Sequence, residues 1–505
     1  MAGVYQWLTL TDGIAQLAAR LAISFSAPNT PFWTQSELQL YIFRAIQQYN
    51  CYTNFWKTEF IYNPTELWNS LGSLSGSPRQ RTATDADSYT LLQYYLLENP
   101  TGAGTWAGTT QFALSDLVNS LQSRRNEMLQ ISAANNVLLQ NIPSTPNVRR
   151  VYLPDTVLDV PRVRYLALQT SPTGTGSIGS NSIIVSDSAN ITSGLLVSGT
   201  GVASWATVSS VNGTTIILSL PNTGAVSGVI NFYSPTTLYR DDTVALEWYD
   251  SPLYQLPSGT PQTFQLSSEP PLSFDVDVGP NQAAVYEAVT LQSGATFNPP
   301  SATLLGIPND YAWALEFGAM ADLLGREPEA TDDERAQYCL KRYQDGLKLL
   351  IKTPWIMLGS VNGIACSVDS LEETDRYSVG WDLNPTNFGP VLVTAGIDFL
   401  AAPVGSSIGI TCLGNSPLLD STNTYIQVSR DSWDQILNES QFLASFKQGG
   451  AEFLAAMELE KQFIMFCSAE NSRLKSTGAF ADILLQRGQA QDRAQNRYNS
   501  KGQNG

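Results

Sequence analysis

Few residues in this chain have types and spacing that suggest chemistry. Gly174-Thr175-Gly176-Ser177-Ile178-Gly179 matches the GxGxxG pattern of dinucleotide sites. That site needs a strand before the glycines, a helix after them to receive the pyrophosphate, and an acid about 20 residues on. Here a β-type run follows and the nearby acid, Asp187, comes too early, so the glycines read as a turn. Asp275-Val276-Asp277, Asp332-Asp333-Glu334 and Asp241-Asp242 are the densest carboxylate groups. Alternating acids on a strand can line a Ca²⁺ site or act as a glycosidase pair, but the first group lacks the Gly and distal Glu of an EF-hand loop. The second group is accounted for by helix capping and the helix dipole. Arg124-Arg125 and Arg149-Arg150 could touch phosphates, although isolated basic pairs in an acidic chain usually bridge to neighbouring carboxylates. No catalytic residue, cofactor or metal site is assigned.

Composition narrows the classes further. The 505 residues include no histidine, which removes Ser-His-Asp and Cys-His nucleophile pairs, His-ligated zinc and imidazole acid/base work. With 28 Lys+Arg against 45 Asp+Glu the net charge is −17, the wrong sign for a protein that grips nucleic-acid phosphates. Five widely spaced cysteines (Cys51, Cys339, Cys366, Cys412, Cys467), with no CxxC pair, read as buried small hydrophobes in a reducing compartment. No stretch reaches the roughly 18 uninterrupted apolar residues of a membrane span, and Met1 to Phe25 lacks the basic start of a signal peptide. Synthesis in a cytoplasm, no membrane and several domains are expected.

The elements that must position these residues alternate along the chain. Residues 1–147 read mainly as helices. Thr34-Gln35-Ser36-Glu37 forms a capping box ahead of Leu38, Ile42, Ala45 and Tyr49, and a second helix begins near Ser115. Residues 148–170 and 240–300 read as strands of a β host domain. Residues 171–239 form an inserted all-β module, because Asp187 is the only charge between Ser171 and Tyr239 while Gly, Ser, Thr and Val recur with turns. Residues 301–360 form a helical hairpin, with Trp313, Phe317, Met320 and Leu324 on one stripe and Ala336, Leu340, Tyr343, Leu347 and Leu350 on the other, opened by the capping box Thr331-Asp332-Asp333-Glu334. Residues 361–430 read as β and loop, and 431–485 as C-terminal helices with a bend at Gly449-Gly450. Residues 486–505 read as a flexible basic tail in which Arg487, Arg493, Arg497 and Lys501 reverse the sign of the chain. The aromatic pairs Phe32-Trp33, Phe55-Trp56 and Trp248-Tyr249 fit either core packing or subunit anchoring.

Three blocks resemble structural proteins of tailed bacteriophages. Phe32-Trp33-Thr34-Gln35-Ser36-Glu37-Leu38, with Arg44-Ala45-Ile46 and Thr53-Asn54-Phe55-Trp56, resembles the start of phage neck and tail-interface proteins. Trp313 to Leu324 with Asp332 to Ala336 and Arg342-Tyr343 is similar to a block of the same virion proteins, as is Phe446 to Phe453. The insert is similar to a small β module of phage virion proteins, carried by Ile184-Val185, Ile191, Gly194, Val197, Gly199, Gly201-Val202, Thr207-Val208, Val211, Gly213-Thr214-Thr215-Ile216 and Leu218-Ser219, with Trp205-Ala206 in place of the usual "GT".

The resemblance implies an α+β, multidomain fold with a helical adaptor-like core, β-sandwich-like domains and an inserted all-β module. It implies a non-enzymatic neck or head-to-tail adaptor without cofactors. Such a protein would form a dodecameric ring, bind the portal and other neck or tail proteins, and line a channel through which DNA passes without sequence-specific binding. Arg487, Arg493, Arg497 and Lys501 would dock on the portal or a neighbouring subunit. The alternatives are a tail-tube, baseplate or fibre-linking protein, or a carbohydrate-binding or depolymerising tail component.

Overall fold

The computed structural model describes residues 6–25, 32–62, 68–70, 82–97, 112–132, 135–203, 206–241, 258–267, 272–282, 284–299, 301–326, 332–352, 356–370, 391–394, 399–401, 407–417 and 424–476. Among the described residues helices and several sheets are both present, so the fold is α+β. Among the described residues no helix is long and apolar enough to cross a membrane.

Eight helices form the largest body: α1 (Leu10–Arg20), α2 (Gln35–Thr53), α3 (Asp85–Tyr95), α4 (Leu114–Ser132), α5 (Ala312–Arg326), α6 (Asp333–Lys352), α7 (Arg430–Gln448) and α8 (Gly450–Ser476). Thr34 caps α2 through the capping box read from the sequence, its hydroxyl accepting from Glu37 N while the Glu37 carboxylate accepts from Thr34 N. All eight contribute to one apolar cluster that includes Leu17, Ile42, Leu92, Leu121, Trp313, Tyr343, Phe446 and Phe463. The three helical stretches of the sequence therefore share a single core. The segments flanking α1 and α7 are laced together, since Ile426 N donates to Leu8 O at 2.9 Å and Trp7 Nε1 to Val428 O at 2.8 Å.

Glycine sets the closeness of the α5–α6 hairpin. A Cβ on Gly346 would stand 2.4 Å from the Ala314 Cβ, and one on Gly318 would stand 2.8 Å from the Tyr343 ring. Such contacts explain glycine inside two helices, where it normally costs about 1 kcal/mol relative to alanine. At the other end of the body, Gly449 (φ 69°) and Gly450 (φ 53°) break the chain between α7 and α8, the position read as a bend.

Seven strands of the β host domain form one sheet, and Leu196–Ser198 of the insert joins it as an eighth by pairing with Asn231–Tyr233. Its centre is the long strand Val157–Thr170, paired antiparallel on one side with Ala284–Gln292 and on the other with Asn231–Arg240. Asn136–Pro143, from the stretch read as helical, joins one edge. Val163, Tyr165, Phe264, Phe274 and Tyr286 pack as its core.

The insert leaves at Thr170 and returns at Asn231, with Thr170 and Phe232 cross-strand partners. Its five-stranded sheet runs in the order Val226–Val229, Thr173–Gly176, Ser182–Val185, Thr215–Leu218, Val208–Asn212, over a core including Ile183, Val185, Ile216 and Ile230, which Phe232 of the host strand completes. Asn231–Arg240 belongs to the host sheet, so the insert's own sheet ends at Val229 although the uncharged composition continues to 239.

The third sheet has seven strands and unites distant parts of the chain: Lys57–Tyr62, Ile408–Leu413, Ile356–Val361, Ile364–Ser370, Val391–Thr394, Phe399–Ala401 and Trp68–Ser70. Asn362 (φ 52°) and Gly363 (φ 78°) make the tight turn between Val361 and Ile364, which are partners in the ladder.

Candidate functional site

Most of the chemically suggestive motifs within the described residues have a local structural role. Gly174 and Gly176 lie in a strand and the chain turns straight into the next strand at Ser182, so no helix end meets the GxGxxG glycines. A Cβ on Gly174 would stand 2.4 Å from Ile230 Cδ1, which accounts for that glycine by packing. Asp275 accepts from Arg150 Nε and Nη2 at 2.8 and 2.7 Å, and Asp277 accepts from Gln262 N at 3.0 Å. Asp332 caps α6 by accepting from Arg335 N at 3.0 Å and Arg335 Nε at 2.6 Å. Among the described residues no three Cys, Asp or Glu side chains gather to hold a metal ion.

The basic pairs are bound within the chain. Arg124 grips Asp322 with Nε at 3.1 Å and Nη2 at 2.6 Å, joining α4 to α5. Arg125 is buried, donates to Ala295 O and Gly294 O, and lies over the Phe297 ring at 4.2 Å. Burial pulls its guanidinium down to about 10. Arg149 Nε donates to Val276 O at 3.0 Å. Trp33 is core, its Nε1 donating to Ala444 O at 3.1 Å, while Phe32 is exposed with Lys447 Nζ 4.4 Å from its ring. Asp242, Trp248, Tyr249, Thr331, Arg487, Arg493, Arg497 and Lys501 lie outside the described residues.

Among the described residues, buried charges gather inside the helical body. Arg44 of α2 donates Nε to Glu316 Oε2 of α5 at 3.1 Å and Nη2 to Glu316 Oε1, while Ser88 Oγ of α3 donates to the same carboxylate at 2.9 Å. Arg342 of α6 lies between Glu439 of α7 at 3.3 Å and Glu460 of α8 at 3.2 Å, and donates to Gln48 Oε1 and Tyr52 Oη of α2. Its guanidinium stacks 5.1 Å from the Trp313 ring. Lys447 Nζ, at the end of α7, meets Glu37 Oε1 at 3.0 Å and the Phe32 carbonyl at 2.9 Å.

Each of these groups lies in the core, where a charge survives only with partners. Burial pushes Glu316 up to about 7, against the pull of Arg44. Burial, reinforced by Glu460 and opposed by Arg342, pushes Glu439 up to about 8. Near neutrality Glu439 is thus held in its neutral form beside the Arg342 guanidinium. Burial also pushes the Cys339 and Cys467 thiols up, away from the nucleophilic thiolate. The arrangement fixes helices to one another. Arg44, Glu316, Arg342 and Lys447 all stand in the blocks quoted above, but nothing local in the sequence marks them as ion-pair partners.

No family model matches the chain, and no curated protein matches it.

Proposed function

We propose that the chain is a non-enzymatic structural component of a tailed-phage virion, a neck or head-to-tail adaptor whose copies close into a ring between portal and tail. One observation carries the reading. The three blocks that resemble phage virion proteins, far apart in sequence, are mutual neighbours in one core: Lys447 meets Glu37 and the Phe32 carbonyl, Arg44 pairs with Glu316, and Phe446 packs edge-on against Phe317. A resemblance scattered by chance has no reason to converge on one folded unit.

In this reading the work is mechanical and electrostatic. The ion-paired helical body keeps its shape under load, the net charge of −17 repels the DNA backbone so that the genome slides through without sticking, and the insert stands off the body. Arg487, Arg493, Arg497 and Lys501 supply the opposite charge for an acidic crevice on the portal or the next subunit. Imaging of assembled particles carrying a tagged chain tests the proposal: the tag should decorate a ring coaxial with the portal. Density found only at fibre tips, or in threefold symmetry, would overturn it.

A further inference from the structure

The outward face of the insert differs from an ordinary solvated sheet face. Cross-strand register aligns Ser227, Thr175, Ile184, Thr215 and Asn212 in one row across all five strands. The alternate residues Ile183, Val185 and Ile216 point into the core. Ile184 is 57% exposed, and Val229, on the edge strand, 56%. The five strands carry no Asp, Glu, Lys or Arg. Asp187, the single charge of the insert, accepts from Ala189 N in a turn.

A face made of small hydroxyls and β-branched aliphatics can be covered without stranding a charge and with little loss of side-chain freedom. The rest of the molecule determines which occupant fits. With one acid in the insert, the remaining net charge of −16 (−17 less −1) lies outside it. Two copies approaching by other surfaces meet net like-charge repulsion, whereas two inserts approaching face to face do not. A sugar ligand fits less well, because the five strands offer no aromatic ring to stack on and the face is a sheet surface without converging polar groups.

We infer that this face is a contact between the inserts of two copies of the chain, packed sheet on sheet about a two-fold axis. Five strands of about four residues give a face of about 300 Å² per copy, well under the roughly 800 Å² of a self-sufficient interface. The contact is therefore weak between free chains. It needs no helical contact and stands whether or not the chain forms a ring.

Covalent trapping in the full-length chain tests it. Ile184→Cys, under mild oxidation at high protein concentration, should give a disulfide-linked dimer well above that of the unaltered chain and of Ala189→Cys, which places an exposed thiol on a turn. Adding Thr175→Glu sets identical carboxylates face to face and should remove the dimer, while the melting temperature stays unchanged because both side chains are exposed. Ile184→Cys dimer no stronger than Ala189→Cys dimer would overturn the inference. So would a dimer that survives Thr175→Glu.

Discussion

Arg44 and Glu316, 272 positions apart in the sequence, meet as a two-pronged ion pair inside the helical body, and Ser88 from a third helix completes the carboxylate's shell. The pair ties the N-terminal block to the central hairpin. Lys447 with Glu37 ties the C-terminal block to the N-terminal one, and Arg342 with Glu439 and Glu460 ties the hairpin to α7 and α8. Buried pairs of this kind fix one arrangement of segments more than they add net stability, because removing two charges from water costs about as much as their attraction returns.

That balance gives a first prediction. Arg44→Met leaves Glu316 in the core without its cation, to be protonated above its ordinary range or left uncompensated, and should destabilise by about 3–5 kcal/mol at alkaline pH, whereas Arg44→Met with Glu316→Leu should recover most of the loss. Denaturant unfolding of the four-member cycle reads both. A single-variant loss within the roughly 1 kcal/mol typical of surface pairs would contradict the burial assigned to this pair.

Glu439 and Glu316 make the pH dependence unusual. Their folded values, about 8 and about 7, exceed the ordinary glutamate value of 4.5, so between these limits the folded chain binds more protons than the unfolded chain. The stability these two groups contribute is full below 4.5 and is lost as pH rises through 7 and 8, opposite in sign to a salt-bridged carboxylate with a lowered pKa. Melting temperature should fall between about pH 5.5 and pH 8.5, and Glu439→Gln, which stays neutral, should flatten that fall. Equal slopes in the two proteins would contradict the assignment.

The Thr34 to Glu37 cap, the α5–α6 stripes and the break at Gly449-Gly450 were legible because their signals are local: a hydroxyl three residues from a carboxylate, a 3.6-residue period, two adjacent glycines. Leu340 continued the helical stripe on paper yet is 37% exposed, because period alone does not mark where a buried face ends. Strands Lys57–Tyr62, Trp68–Ser70 and Asn136–Pro143 lie in a stretch read as helical, since pairing with Ile408–Leu413, Phe399–Ala401 and Ala284–Gln292 leaves no local trace. The ion pairs were hidden for the same reason. The exit of the insert was blurred because Asn231–Arg240 keeps its uncharged composition up to Tyr239 while pairing with the host strand Val157–Thr170.

The insert boundary leads to the next expectation. Replacing residues 173–229 by a short Gly/Ser linker should leave the seven host strands paired, because Thr170 and Phe232 are already cross-strand partners, at the local cost of the Leu196–Ser198 strand and of the insert side chains that cover Phe232. Folding and particle incorporation, read by melting and by sedimentation with assembled particles, should persist. Loss of folding on deletion would mean that the insert shares the host core.

The basic residues at the end of the sequence are tested by truncation. A chain ending at Leu485 should keep its melting temperature and lose attachment to DNA-filled heads, because Arg487, Arg493, Arg497 and Lys501 are removed. Normal attachment of the shortened chain would exclude a docking role for them.

The ring itself is tested most directly by the mass per particle of the purified full chain, measured in solution and paired with low-resolution projection images. The adaptor account predicts a closed ring with dodecameric mass and an open channel. A particle with the mass of a trimer, or a monomer at every concentration, would contradict it.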